Sequence, residues 1–442
     1  MFQYWRDLAR KHKRKIIVST GVVAASYLIG KYVASKIEEF QKRVKEENFA
    51  KEQVKRRFKQ TQNDSYMTFL SLLPVLVEPI YEELNVEEIT RELRSRRPSR
   101  KNAQPEDNTK SEAGLSTVAS EEFNTPITTT PKDEQILQST IQNKSKSELW
   151  GALKIVSLTR FLTLFYSQSI LIIYLHLQLN ILSRKSYYES AVKLASIRDA
   201  DLETPDSLSE DEGNTLPEQA FLSFSWWFLN KGWLRLKDII EDSVEDVFGE
   251  IDPRQKLTIK EFASLINTCQ QAIYKKLRND ENAESLDSNQ SVIVSSLLPP
   301  HDKEFYLLQQ TNSADFLAEF NSDIANTENL EKLLTELKEY LANEQVISLL
   351  NLLVTVGISL VLDKILVTVE RSSVSKADTE ANEPSIAEIS PEKLKLASLL
   401  ALITKQSNKL TNSSLDNEIL STLNNLQELE DLSASIYSNF KF

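Results

Sequence analysis

Hydrophobic and polar positions along this chain fall into long blocks rather than short alternating runs. Apolar residues recur at helical spacing near 148–198, 218–248, 258–278, 302–370 and 391–436, which predicts amphipathic helices in each block. A further helix-like pattern starts at Tyr66 and runs through Leu84 to Leu93. Between the blocks lie polar stretches at 98–147, 201–216, 279–291 and 371–391, read as loops and, for 98–147, as a disordered insertion. Two stretches, Phe161 to Leu182 and Val346 to Leu362, carry no Asp, Glu, Lys or Arg. Their scattered Ser, Thr, Asn and Gln, and the shortness of the second, favour core helices of a large bundle over membrane spans.

The N-terminus differs. Arg10 to Lys15 is a basic cluster, and Ile16 to Ser35 is a 20-residue stretch interrupted only by Lys31. That length matches a helix crossing a bilayer core, with Lys31 close enough to the end to snorkel. A buried helix or a secretory signal peptide are the competing readings; the charged stretch 36–60 that follows favours an uncleaved anchor on a helical stem. The organisation expected is a short basic segment 1–15, a transmembrane helix 16–35 in contact with lipid, a charged stem 36–60, and a helical domain 61–442 carrying the insertion. Six Lys/Arg precede Ile16 and nine lie between Lys36 and Lys59, so positive-inside counting leaves orientation open.

Composition supports an all-α fold: only 8 of 442 residues are Gly, too few for folds that need many turns at positive φ. Net charge is −12, with 16 basic against 6 acidic residues in 1–60 and 36 against 58 beyond. A basic head on an acidic body fits a membrane-facing end and excludes a nucleic-acid-binding body. The single cysteine, Cys269, excludes an intramolecular disulfide and reads as a small buried side chain. His12, His176 and His301 are dispersed, and no HExxH, P-loop, GxGxxG or GxSxG occurs, so no cofactor, metal or catalytic group is expected. Asp252 to Phe262 superficially fits a calcium loop, but Arg254 and Lys256 occupy ligand positions and Leu257 stands where glycine is needed. Thr258 followed by Glu261 reads better as a capping box starting a helix.

Tryptophans carry more information. Leu149, Trp150 and Leu153 fall on one side of a helix start, with Lys154 beside them. Such an edge either packs inward or receives a partner's amphipathic helix, with Lys154 able to pair a carboxylate at the rim. Trp226 and Trp227 point about 100° apart on a helix, so one is expected in the core and the other at a surface.

At these residues the chain resembles the peroxisomal biogenesis factor 3 family, fungal type. The resemblance runs through Arg10 to Lys15, Arg56 to Ser65 with Leu72 to Pro74, Glu148 to Arg160, Leu177 to Leu182, Gln219 to Leu234, and Asp431 to Phe440. It implies a single-pass peroxisomal membrane protein, with its N-terminus in the matrix and a large, elongated cytosolic helical bundle. It implies no enzymatic activity. Its expected role is to dock a soluble receptor for membrane proteins, peroxisomal biogenesis factor 19, whose amphipathic helix enters an apolar groove. The groove tryptophan of the family corresponds to Trp150, with Leu149, Leu153 and Lys154 beside it. Leu93 and Leu396, Leu399 and Leu400 correspond more loosely. A tether recruiting inheritance or pexophagy adaptors is the alternative role.

Overall fold

The uncharged run Phe161–Leu182 forms the middle of a helix that extends over Lys146–Asp199. In this computed structural model, residues 51–96, 144–199, 215–278, 291–377 and 393–439 are described. The candidate anchor 16–35, the basic segment 1–15, stem residues 36–50, and residues 97–143 of the polar insertion lie outside them. So do 200–214, 279–290, 378–392 and 440–442. The chain divides into two compact units, residues 1–60 and 61–442. In the first, the described residues 51–60 are helical.

The second unit is all-α. Its helices are α1 (residues 61–83), α2 (Val86–Ser95), α3 (Lys146–Asp199), α4 (Leu216–Ser223), α5 (Ser225–Trp227), α6 (Trp233–Phe248) and α7 (Ile259–Arg278). They continue with α8 (Val292–Leu297), α9 (Glu304–Thr311), α10 (Ala314–Phe320), α11 (Ile324–Leu341), α12 (Glu344–Ala377), α13 (Leu396–Leu410), α14 (Glu418–Asn424) and α15 (Gln427–Tyr437). A two-residue antiparallel pairing of β1 (Lys256–Leu257) with β2 (Leu394–Lys395) is a clasp between loops.

α3 is the axis of the unit. It is touched by α2, α4, α6, α11, α12, α13 and α15, so it is surrounded, and 89% of its most apolar stretch is buried. A helix covered on every side must be apolar all round, which is why the run has no charged break. α1 lies antiparallel to it: the Thr61 hydroxyl donates to Ser183 Oγ at 2.8 Å, and Gln62 Nε2 to Asn180 Oδ1 at 2.9 Å, while Leu84 comes beside Arg160. A polar hub ties the same end together. His176 Nδ1 lies 2.9 Å from Gln62 Oε1 and 3.1 Å from Ser433 Oγ, and its Nε2 lies 3.0 Å from Asn424 Oδ1. Burial pulls the His176 pKa down to about 4, against the opposing effect of the Asn424 hydrogen bond.

The second uncharged run departs from expectation. α12 is a helix, but only 39% of its most apolar window is buried. Val346, Leu350, Leu353, Val354, Ile358, Val361 and Ile365 enter the core, whereas Leu366 and Val367 are exposed. α12 therefore lies at the edge of the bundle, not at its centre. Its outward hydroxyls are satisfied within the helix: Thr355 donates to Asn351 O and Ser359 to Thr355 O, each at 2.7 Å. Among the described residues, this uncharged outer face is thus tolerated without a covering helix. On the inner face Gly357 allows close approach, since a Cβ there would lie 2.5 Å from Phe165 Cε1.

α7 begins as the sequence predicts. Thr258 and Glu261 exchange hydrogen bonds, Glu261 N donating to Thr258 Oγ1 at 3.1 Å and Thr258 N to a Glu261 carboxylate oxygen at 2.8 Å. The Asp252 carboxylate accepts from Arg254 N at 2.7 Å in the loop before it. Cys269 is fully buried on α7.

Candidate functional site

A second apolar cluster stands apart from the main core. Val86, Ile89 and Leu93 of α2 meet Leu149 and Leu153 of α3, with Trp150, Ala152 and Val156 packed against them at partial burial. The local sequence dictates this seam. Asn85 caps α2 by accepting from Glu88 N at 2.9 Å, and the spacing of 86, 89 and 93 puts three apolar side chains on one face. α3 starts on a second capping box: Ser145 N donates to Glu148 Oε2 at 2.6 Å and Glu148 N to Ser145 Oγ at 3.3 Å. Hydrogen bonds from the Ser145 backbone and side chain to the carboxylate hold the Glu148 pKa below its usual value. One turn on, Leu149, Trp150 and Leu153 face α2.

Two fasteners fix the angle between the helices. Arg160 is fully buried, and its guanidinium makes paired bonds to the Glu87 carboxylate at 2.6 and 2.9 Å. It also lies 4.5 Å from the Tyr81 ring centroid. At the other end Arg96 Nη1 donates to Lys144 O, so the two ends of the segment between α2 and α3 are held together.

The site residues expected from sequence separate into two groups. Leu93, Leu149, Trp150 and Leu153 converge in the seam. Leu149 and Leu153 form its floor, while Trp150 stays partly exposed at its edge. At Gly151, the next residue along α3, an added Cβ would meet nothing within 4 Å. Leu396, Leu399 and Leu400 do not line the seam. They are buried in the main core on α13. Nor is Lys154 a rim charge. It is buried, and its ammonium donates to Gly249 O at 2.9 Å and Ile251 O at 2.8 Å. Those carbonyls follow the end of α6, where the helix dipole favours a cation. Lys154 thereby locks α3 to α6, and Lys146, three and four residues before Leu149 and Trp150 on the same side of α3, is an exposed basic group.

Reasoning from sequence missed Val86, Ile89 and Val156, although the 86/89/93 spacing and the Ser145–Glu148 box were there to be read. It also divided Trp226 and Trp227 between core and surface. Both are half-buried against the core, and Trp233 is the buried one.

The seam also has a defined place in the unit. Thr61 pairs with Ser183, and Trp150 lies 33 residues earlier on α3; at 1.5 Å per residue that is about 50 Å away. The seam therefore sits at the end of α3 remote from Thr61, where the second unit begins.

Comparison with known proteins identifies the family. The family model Peroxin-3 matches residues 7–439. The chain belongs to the Peroxin-3 family. It is 47% identical to the peroxisomal membrane protein PEX3 of Komagataella phaffii over the full length of both. It is 32% identical to peroxisomal biogenesis factor 3 of Yarrowia lipolytica over 98% of this chain and 99% of that one. Against the Bos taurus factor it is 23% identical over 100% and 98%. Peroxin-3 proteins are biogenesis factors, and the all-α architecture is the one expected for this membership.

Proposed function

We propose that this Peroxin-3 protein resides in the peroxisomal membrane and docks the soluble receptor, peroxisomal biogenesis factor 19, that delivers newly made membrane proteins. Its role is binding, not catalysis. The anchor is residues 16–35, with the N-terminus in the matrix and the helical unit in the cytosol. The observation that carries the docking role is a separate apolar seam with a half-buried tryptophan at its edge. Main-core residues are covered on all sides; Trp150 is not, although it belongs to a cluster of large side chains. A half-exposed indole over an apolar floor is the usual makeup of a helix-receiving hot spot.

An amphipathic helix from the receptor would lay a Phe or Leu against Trp150 and Leu153. Burying one such side chain contributes about 1.5–3 kcal/mol. An acidic residue on that helix would meet Lys146, which would speed and orient encounter more than it tightens the complex. Trp150→Ala is therefore expected to weaken binding by about 2 kcal/mol or more, roughly 30-fold. Calorimetry of the full chain in detergent micelles with a peptide carrying the receptor's amphipathic helix reads this directly. Unchanged affinity would remove Trp150 from the site.

A further inference from the structure

A second surface, on α4, α5 and α9, has a different chemistry. From Gln219 to Lys237 the sequence holds Lys231, Arg235 and Lys237 and no acidic residue. The surrounding body is strongly acidic. The same stretch is dense in aromatic side chains, and the fold buries only some of them. Phe221, Phe224, Phe228 and Trp233 go into the core. Between α5 and α6 the chain makes a π turn over Phe228–Gly232, an irregularity found most often at functional places. Gly232 is required there, because a Cβ would lie 1.6 Å from Ser296 O. On the outer side of this turn Trp226 and Trp227 stay half-buried and Leu222 is 39% exposed.

α9 completes the patch. Tyr306, 46% exposed, stands edge-on to Trp226 with ring centroids 6.4 Å apart. The Lys303 ammonium lies 6.0 Å from the Trp227 ring centroid, and Lys231 is exposed on the turn itself. Asp302 is exposed beside Lys303, and Glu304 is engaged by His301 at 3.2 Å and Lys338 at 3.7 Å. The rim of the patch is therefore net positive.

We propose that this face rests on the anionic surface of a lipid bilayer. Indole and phenol rings settle at the depth of lipid headgroups, where one edge is apolar and the other wet. Lysines beside them are drawn to anionic lipids. The sign of charge favours this face: the acidic remainder of the unit is repelled by the same surface, whereas the rim at Lys231 and Lys303 is drawn to it. The aromatic payload then holds what the charge brings in. This inference is separate from receptor docking at Trp150 and survives its failure.

The test places an environment-sensitive fluorophore on the full chain reconstituted in vesicles. Cys269 is buried, and its thiol is pushed up to about 12, so a thiol-directed label goes to an introduced cysteine. Leu222→Cys and Tyr306→Cys report on the patch, and Leu415→Cys, 61% exposed before α14, is the control. Vesicles contain phosphatidylcholine alone or mixed with phosphatidylserine, and the quencher is a nitroxide-bearing lipid. The expected result is several-fold stronger lipid quenching at 222 and 306 than at 415 in the anionic vesicles. Lys231→Glu combined with Lys303→Glu should abolish that difference, with helicity unchanged by circular dichroism. Equal quenching at all three positions would overturn the proposal. So would shielding that persists in detergent and grows with protein concentration, which would assign the face to a second copy. Shielding that appears only on adding cytosol would assign it to a protein partner and overturn the proposal equally. Receptor-peptide affinity measured on the same preparations keeps the two surfaces distinguishable.

Discussion

Removing the guanidinium that joins α2 to α3 should loosen the seam before anything else. Arg160→Met keeps the apolar stem of the side chain and deletes its charge. In the native structure Arg160 is 1% exposed and makes two charge-assisted bonds to Glu87, at 2.6 and 2.9 Å. Breaking a fully buried pair costs about 3–5 kcal/mol, but Glu87 is 25% exposed and can rehydrate once its partner is gone. The lost bonds are then worth about 1.5–3 kcal/mol, and the stacking over Tyr81 adds about 0.5–1 kcal/mol. A net loss of about 2–4 kcal/mol follows from these two contributions. Urea unfolding of the full chain in detergent, read by far-ultraviolet circular dichroism, gives the global value. Hydrogen exchange should show α2 losing protection first. Glu87→Gln and the double variant close a thermodynamic cycle whose coupling is expected at about 1–2 kcal/mol. A coupling below about 0.5 kcal/mol, the size of a surface ion pair, would refute the view that this pair sets the seam.

Two further outcomes follow from buried polar groups. Lys154→Met should cost about 1.5–3 kcal/mol of stability, because two carbonyls at the end of α6 lose a cationic donor; receptor-peptide affinity should stay at the native value, whereas a rim role for Lys154 would lower it. Stability should also fall on acidification. His176 has a folded pKa of about 4 against 6.5 when unfolded, so between those values the unfolded chain binds more protons and stability rises with pH. The full contribution is present above about pH 6.5 and is lost as pH falls toward 4, with an upper bound of about 3 kcal/mol. His176→Gln should flatten that part of the stability–pH curve, and an unchanged slope would reject His176 as its source.

Local pattern was legible, and long-range partnership was not. Thr258 and Glu261 announce the start of α7 because a capping box is complete within four residues. Leu149, Trp150 and Leu153 announce an apolar edge for the same reason: one turn of helix brings them together. Lys154 was assigned to the rim because a lysine stem can reach in many directions, and its carbonyl partners lie 95 and 97 residues away. The spacing of Leu396, Leu399 and Leu400 shows that one side of α13 is covered but not what covers it, and the cover is the main core. The run Val346–Leu362 fixed a helix, while the number of its sides in contact depends on neighbours that periodicity does not name. Arg160 escaped notice because its acid sits on a helix 73 residues earlier.

The segregation of Val86, Ile89, Leu93, Leu149 and Leu153 from the main core also bears on how such a protein can change. The buried side chains of the two pools form separate clusters joined through the half-buried Val156, so substitutions among buried members away from Val156 should add rather than compound. A lineage could reshape the grip for an altered cargo receptor, one methyl at a time, while the melting behaviour of the larger bundle stays where it was.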